Sequence, residues 1–399
     1  MKKKIIFISS LNYDYRLFDK FNLKNYMDSD KIETELWKID FNENSIKNIS
    51  NDIFTESLKQ ESKISEKIKR ISNYFELFKL LKKTDKRCFI FDITFSKNPF
   101  FSSITKLFGA NLIYHGLSTF PIVEIKNEDI KNKITNISFS NFFYLFYKYI
   151  FFINRKILNK IILPKLDIFF YNGNYEKKLS KKISKKSVSL HTRDYEHYLT
   201  EEKNKTPKLI QNDYILFLDM GYPVPYDNYF SDEKPVTNEE NYKNGMIKFL
   251  NSVSNILKKK IIVSLHPNSN RKDFFGFDSY RGKTSHLVKH SSFVIAHDSL
   301  SLQFVALWKK PCVIIYNNDM INRFTKKKEI EWFKDIMKLK SINIDNFNNE
   351  EISSKIIFYQ KNGFNKDNYN YFISEFIKDG EEDETHSISK IIIDKISSF

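Results

Sequence analysis

The sequence predicts an α/β protein made of two halves, each a parallel sheet flanked by helices. Three observations carry that expectation. Short β-branched and aromatic runs alternate with longer helical patterns along most of the chain, the rhythm of βαβ construction. One charged segment without apolar periodicity, Thr200 to Asn212 (TEEKNKTPKLIQN), interrupts the series. The length, 399 residues, is enough for two domains with separate cores.

In the first half, Lys4 to Ser9 reads as the opening strand and Ser10 to Asp14 as the loop at its carboxyl end. Ile32 to Ile39 is a second strand, and Asp52 to Lys83 has a helical pattern with lysines on its outer face. Arg87 to Thr94, Asn111 to Tyr114, Leu166 to Tyr171 and Ser187 to Leu190 complete a sheet, so residues 1–200 form one Rossmann-like domain. Residues 201–212 then serve as linker and residues 213–399 form the second domain. It opens with the strand Tyr214 to Leu218 and continues through a helix at Asn238 to Lys258 and a strand at Lys260 to Leu265. A helix at Thr284 to His290, a strand at Phe293 to Ala296, a helix at Ser299 to Trp308 and a strand at Cys312 to Tyr316 follow. No internal repeat and no Cys/His cluster with metal-ligand spacing stands out.

The formal charge of +16 is compatible with nucleic acid, an anionic membrane surface or a polyanionic substrate. No zinc finger, helix-turn-helix or RNA-binding aromatic signature accompanies it, so nucleic acid is not expected as a partner. Cys88 and Cys312 both lie inside apolar strand-like runs, which fits buried thiols in a reducing cytoplasm. The basic start MKKKIIFISSLNYDY has an apolar run too short for a signal sequence. Phe139 to Leu163 is a basic aromatic segment of nearly membrane-spanning length, but its central charges argue against a span. It reads either as a helix packed on the first sheet or as one lying in an anionic membrane interface.

Polar clusters at strand ends point to the chemistry. In an open α/β sheet, ligands collect at the carboxyl ends of the strands. Ile261 to Pro267 ends in His266-Pro267, and the strand at Phe293 ends in His297-Asp298-Ser299, about 30 residues later. Asp219 follows the first strand of the second half and precedes Gly221, which permits a tight turn. A carboxylate there can act as base or nucleophile, or can simply close a loop. Lys283 and Thr284 open a helix as cation and expected N-cap, a seat for phosphate. Asp298 and Ser299 are expected to cap the next helix, whose first-turn amides and the hydroxyls of Ser299 and Ser301 would face an anion. Neither GxxxxGK[ST] nor GxGxxG is present, which disfavours an NTPase or an NAD enzyme. In the first half, Asp14, His115 and Glu124 are weaker acceptor-side candidates near loops after strands, with Glu124 a candidate acid.

These residues resemble the GT-B glycosyltransferases, in which two Rossmann-like domains face a central cleft. Over residues 213–320 the order Asp219-Met220-Gly221, His266-Pro267, Ser299-Leu300-Ser301 is similar to bacterial CMP-sugar sialyltransferases and Kdo transferases of capsule and O-antigen assembly. The match departs from those motifs in two places: Leu218 stands where a second carboxylate could, and Leu300 splits the serines. The resemblance implies transfer of a CMP-activated ulosonic sugar to a surface polysaccharide or lipid-linked glycan, with Asp219 as base or nucleophile. It implies donor contacts at Gly221, His266, Pro267, Lys283, Thr284, His297, Ser299, Ser301 and Gln303, with no metal and no cofactor beyond the nucleotide sugar. A cytoplasmic location at the inner face of a bacterial inner membrane would suit such an acceptor. Asp298-Ser299 with Gln303 also resembles UDP-GlcNAc 2-epimerases and UDP-sugar transferases of the same fold, and a non-catalytic membrane- or polymer-binding protein could keep it as well.

Overall fold

In a computed structural model of the chain, the residues described are 2–9, 15–40, 67–93, 104–116, 165–204, 206–223, 235–267, 269, 271–362 and 364–399. The chain divides into two compact units. The first comprises residues 1–171, 176–190 and 383–399, and the second residues 172–175 and 191–382.

The first unit is built on a sheet of strands β1 (Lys3–Ser9), β2 (Ile32–Ile39), β3 (Ile68–Ile71), β4 (Cys88–Asp92), β5 (Asn111–His115), β6 (Leu166–Asn172) and β7 (Ser184–Leu190), in the order β3-β2-β1-β4-β5-β6-β7. From β3 through β6 the neighbours pair in parallel. Both faces are covered, as a parallel sheet requires. Ile5 and Phe7 look to one side, into a cluster with Phe89, Phe91, Ile113 and Phe170. Ile6 and Ile8 look to the other, with Trp37, Ile90, Leu112 and the helical residues Leu77 and Leu81. The first face is closed by the last helix, Ile388–Ser397, which contributes Ile388, Ile391, Ile392, Ile393 and Ile396. Ser387 caps that helix, and it is fastened by Asn25 donating to Ser389 at 2.9 Å and by the Lys31–Asp394 ion pair.

The second unit repeats the plan with β8 (Tyr214–Leu218), β9 (Lys260–Leu265), β10 (Ser279–Arg281), β11 (Phe293–Ala296), β12 (Cys312–Tyr316) and β13 (Lys340–Asn343), ordered β10-β9-β8-β11-β12-β13 and parallel throughout. β8 and β11 are buried along their whole length. Cys312 is buried within β12 and Cys88 within the first sheet, both as free thiols, as expected from their apolar surroundings.

The structure differs from the expectations in three places. The stretch expected to be helical through Lys83 contains β3, because Ile68 to Ile71 pairs with the edge Leu36 to Ile39 of β2 before a helix forms over Tyr74–Leu81. Asn73 caps that helix by accepting from the Glu76 amide. The segment expected as linker begins inside the helix Arg193–Asn204 and lies wholly in the second unit. The chain instead changes units at residues 171–176, 190–191 and 382–383. Finally, residues 383–399 belong to the first unit, where the isoleucines of the last helix find their apolar face.

Among the described residues, no helix is long and apolar enough to cross a membrane. The basic aromatic segment 139–163 lies outside the described residues.

Candidate functional site

In the second sheet, successive strands run outward from β8 on one side, through β9 and β10, and from β11 on the other, through β12 and β13. The winding therefore reverses between β8 and β11, and a crevice opens at their carboxyl ends. The residues that follow are Asp219 after β8, His266 after β9, and His297 and Asp298 after β11. All four come from adjacent strands.

Asp219 is 5% exposed. Its carboxylate accepts from the Gly221 amide at 2.8 Å and from the His266 amide at 3.3 Å, so the first two expected motifs are joined directly. Gly221 has φ of 75°, the left-handed conformation that lets its amide turn back onto the carboxylate. Burial raises the Asp219 carboxyl above the usual aspartate value, against the pull of the two amides and of the Arg271 guanidinium.

Arg271 was not singled out by the sequence. It donates to the Tyr222 carbonyl at 2.7 Å and lies over the Phe274 and Phe275 rings. It is thus a cation held beside Asp219 by packing and a backbone bond. Its only advance signal was its position in the polar loop NSNRKD after His266-Pro267.

The β8 and β11 ends are joined by Tyr222, whose buried hydroxyl donates to Asp298 at 3.0 Å. Lys326 donates to the other oxygen of Asp298 at 2.9 Å and to Glu329 at 2.6 Å. Burial opposes the charge on Lys326, but Asp298 and Glu329 outweigh it, so its ammonium sits above the ordinary lysine value. Asp298, expected as a helix cap, is instead the acceptor of this clamp.

His297 was expected to meet the donor, but the structure places it in the core with no exposed surface. Its Nδ1 lies 2.9 Å from the Ile315 carbonyl and its Nε2 2.9 Å from the Tyr242 hydroxyl. A carbonyl only accepts, so Nδ1 carries the proton and Nε2 accepts from Tyr242. Burial lowers His297 to about 4. Both ring nitrogens are therefore engaged away from any ligand.

The serine turn is also arranged differently from expectation. The helix begins at Leu302 and ends at Leu307, and the turn before it is closed by the Ser299 hydroxyl accepting from the Ser301 amide at 3.1 Å. Ser299 is buried while Leu300 is exposed, which turns the two serines to different environments. Gln303 is buried and accepts from the Thr192 hydroxyl at 2.8 Å. Thr284 is not a cap: the capping position is Lys283, and the threonine hydroxyl lies 2.8 Å from Ser264 on the neighbouring β9. Lys283 and Pro267 are exposed near this rim.

On the first unit, His115 ends β5, is buried, and meets the Phe91 ring edge-on. Asp14 and Glu124 lie outside the described residues.

No family model and no curated protein matches this sequence. Among solved structures, the chain is similar to MurG of Acinetobacter baumannii, at 7% identity with all of both chains covered and a TM-score of 0.47. It is similar to the forosaminyltransferase SpnP at 10% identity, again with full coverage of both, and a TM-score of 0.48. A UDP-N-acetylglucosamine 2-epimerase from Listeria monocytogenes, described as putative, aligns at 12% identity over 100% of this chain and 98% of its own, with a TM-score of 0.46. At similarities of this size, the α/β assignment rests on the strand order and register given above.

Proposed function

We propose that the chain is a glycosyltransferase of the GT-B type that moves a CMP-activated ulosonic sugar, of the Kdo or sialic acid kind, onto a surface polysaccharide or lipid-linked glycan. One observation carries the reading: Asp219-Gly221, His266-Pro267 and Ser299-Ser301 follow three adjacent strands beside the switch point, and the first two are joined through Asp219 and His266.

A buried carboxylate with a raised pKa, positioned by two amides, is suited to take a proton from an acceptor hydroxyl. As that oxygen bonds to the anomeric carbon, the bond to the CMP phosphate breaks and its electron pair leaves with the phosphate. In a retaining enzyme the same carboxylate would attack the anomeric carbon first. Negative charge grows on the departing phosphate, and donors already in place stabilise it without reorganisation. The Arg271 guanidinium, the exposed Lys283 and the His266 turn supply positive potential on this rim. We infer no metal requirement for transfer, since a CMP-sugar carries a single phosphate to neutralise. An acceptor anchored in lipid would give the net charge of +16 a use at an anionic inner-membrane face.

The test is a thermal-shift series with CMP and UDP, followed by turnover with CMP-sugars and with UDP-sugars. Protection by CMP is expected. Protection by UDP alone would move the assignment to a UDP-sugar transferase or epimerase, and protection by neither would favour a non-catalytic polymer-binding role.

A further inference from the structure

The helix Thr284–His290 carries His286 and His290 one turn apart, so both imidazoles lie on one face. The helix Arg193–Asn204 brings Glu201 alongside that face. His286 Nδ1 is 2.8 Å from a Glu201 carboxylate oxygen, and the Leu209 amide donates to His286 Nε2 at 3.3 Å. An amide N–H only donates, so Nε2 accepts and Nδ1–H donates to Glu201. The His290 ring is 4.7 Å from that of His286, and its Nε2 is buried without a hydrogen-bond partner among the described residues. A buried nitrogen in that state is costly unless something occupies it. One ligand atom from each of the three residues lies within 4.8 Å of the others.

We propose that Glu201, His286 and His290 form a site for a divalent transition-metal ion of the zinc class, which ties the two helices together. Two imidazoles and a carboxylate make a three-ligand zinc set with a fourth position left for water. On binding, the ion replaces the proton on His286 Nδ1, which is released to solvent, and Glu201 keeps its negative charge. The ligand atoms must close to about 3.4 Å from one another around an ion with bonds near 2.1 Å, a small side-chain adjustment. The charged surroundings narrow the choice of ion. Lys289 donates to the Glu201 carbonyl and stands 4.0 Å from its carboxylate, and Lys208 and Lys310 also act on His290. Hard cations held by charge alone, such as Ca²⁺ or Mg²⁺, need oxygen-rich sites and are disfavoured there. Zn²⁺, Co²⁺ or Ni²⁺, which bond well to imidazole, are not.

The site is separate from the proposed transfer chemistry. The helix begins after β10, at the carboxyl edge of the sheet, and ends before β11 begins, so His290 lies toward the edge opposite Asp219. Sequence reading missed the site because Glu201 comes from a distant helix and H-x-x-x-H is common in helices.

The experiment uses the full chain, stripped with a chelator and then titrated with Zn²⁺ by calorimetry and thermal melting, with Co²⁺ as a spectroscopic probe. One Zn²⁺ per chain, a melting temperature raised by Zn²⁺ and returned by EDTA, and a Co²⁺ ligand-field band are expected. Loss of an outer-shell partner alone weakens metal affinity by about 10–100-fold, so His290→Ala should weaken Zn²⁺ at least that far. Glu201→Gln, which keeps an acceptor for His286 but removes the anion, should do likewise, and it covers the case in which His290→Ala folds poorly. His386→Ala, which removes the exposed histidine beside Asp383, should leave binding unchanged. Equal Zn²⁺ affinity in wild type and both site variants, or no Zn²⁺ binding, overturns the proposal.

Discussion

Tyr242 donates its hydroxyl proton to Nε2 of His297 across 2.9 Å, and the Ile315 carbonyl takes the proton on the other nitrogen. The imidazole is thereby fixed as one neutral tautomer directly beneath the β11 end. Because the ring is fully buried, charging it would place a cation in the core and turn the Tyr242 hydroxyl from donor to acceptor.

That relationship predicts an acid-sensitive fold. His297 is lowered to about 4, whereas an exposed histidine titrates near 6.5. The unfolded chain then binds more protons between those values, so the stabilisation is full above about 6.5 and is lost as pH falls toward about 4. The difference is on the order of 3 kcal/mol at its largest. Urea unfolding of wild type and His297→Gln at several pH values should show the slope in the former and a flatter one in the latter. Equal slopes would assign the acid sensitivity elsewhere.

Asp219 is predicted to be required for turnover and not for folding. Asp219→Asn should lower kcat by about 10²–10⁴-fold, the usual contribution of a general base, with circular dichroism unchanged. In wild type, the acid limb of kcat/KM should lie above the ordinary aspartate range, because burial raises this carboxyl and only its ionised form accepts a proton. The same shift means that Asp219 contributes most stability at low pH and less as pH rises through its folded value. A variant with wild-type turnover would remove Asp219 from the chemistry.

Lys326 is predicted to hold the β8 and β11 ends together through Asp298. Lys326→Met removes the cation from the buried Asp298 carboxylate and leaves the Tyr222 hydroxyl donating to it. The cost should be about 2–3 kcal/mol, below the full value for a broken buried pair because the ammonium is partly exposed. Adding Asp298→Asn should recover part of it, and a double-mutant cycle measures the coupling. Additive losses would show that the pair is not coupled.

Gly173 is predicted to tolerate no side chain. Its φ is +65°, and a Cβ there would stand 2.5 Å from the Glu375 carbonyl oxygen, on backbone that cannot swing aside. Gly173→Ala should therefore cost on the order of 3 kcal/mol from strain and overpacking together. A melting temperature within error of wild type would contradict this close approach.

The fold was legible wherever apolar runs were long. β8, β9, β11 and β12 stand at the residues expected, since apolar runs of this kind fit a sheet covered on both faces. β10 and β13 were missed because Ser279–Arg281 and Lys340–Asn343 are short and polar, and only pairing with a neighbour makes them strands. The site was legible as an order of strand ends and not as contacts. His297 and Thr284 read as ligand groups because their sequence neighbours are polar, yet Tyr242, Ile315 and Ser264 claim them from other elements. Arg271 lies in a loop, where no periodicity marks a side chain as pointing toward Asp219.

The isoleucine face of Ile388–Ser397 has a consequence for synthesis. On a ribosome, β1 emerges well before the helix that completes its face, with all of residues 191–382 made in between. The second unit can close as soon as its own strands are out. The first can set Phe7 against Tyr26 and Phe91 against Phe21 early, but its apolar face stays incomplete until Ile388–Ser397 has emerged, the interval in which a chaperone would find most to hold.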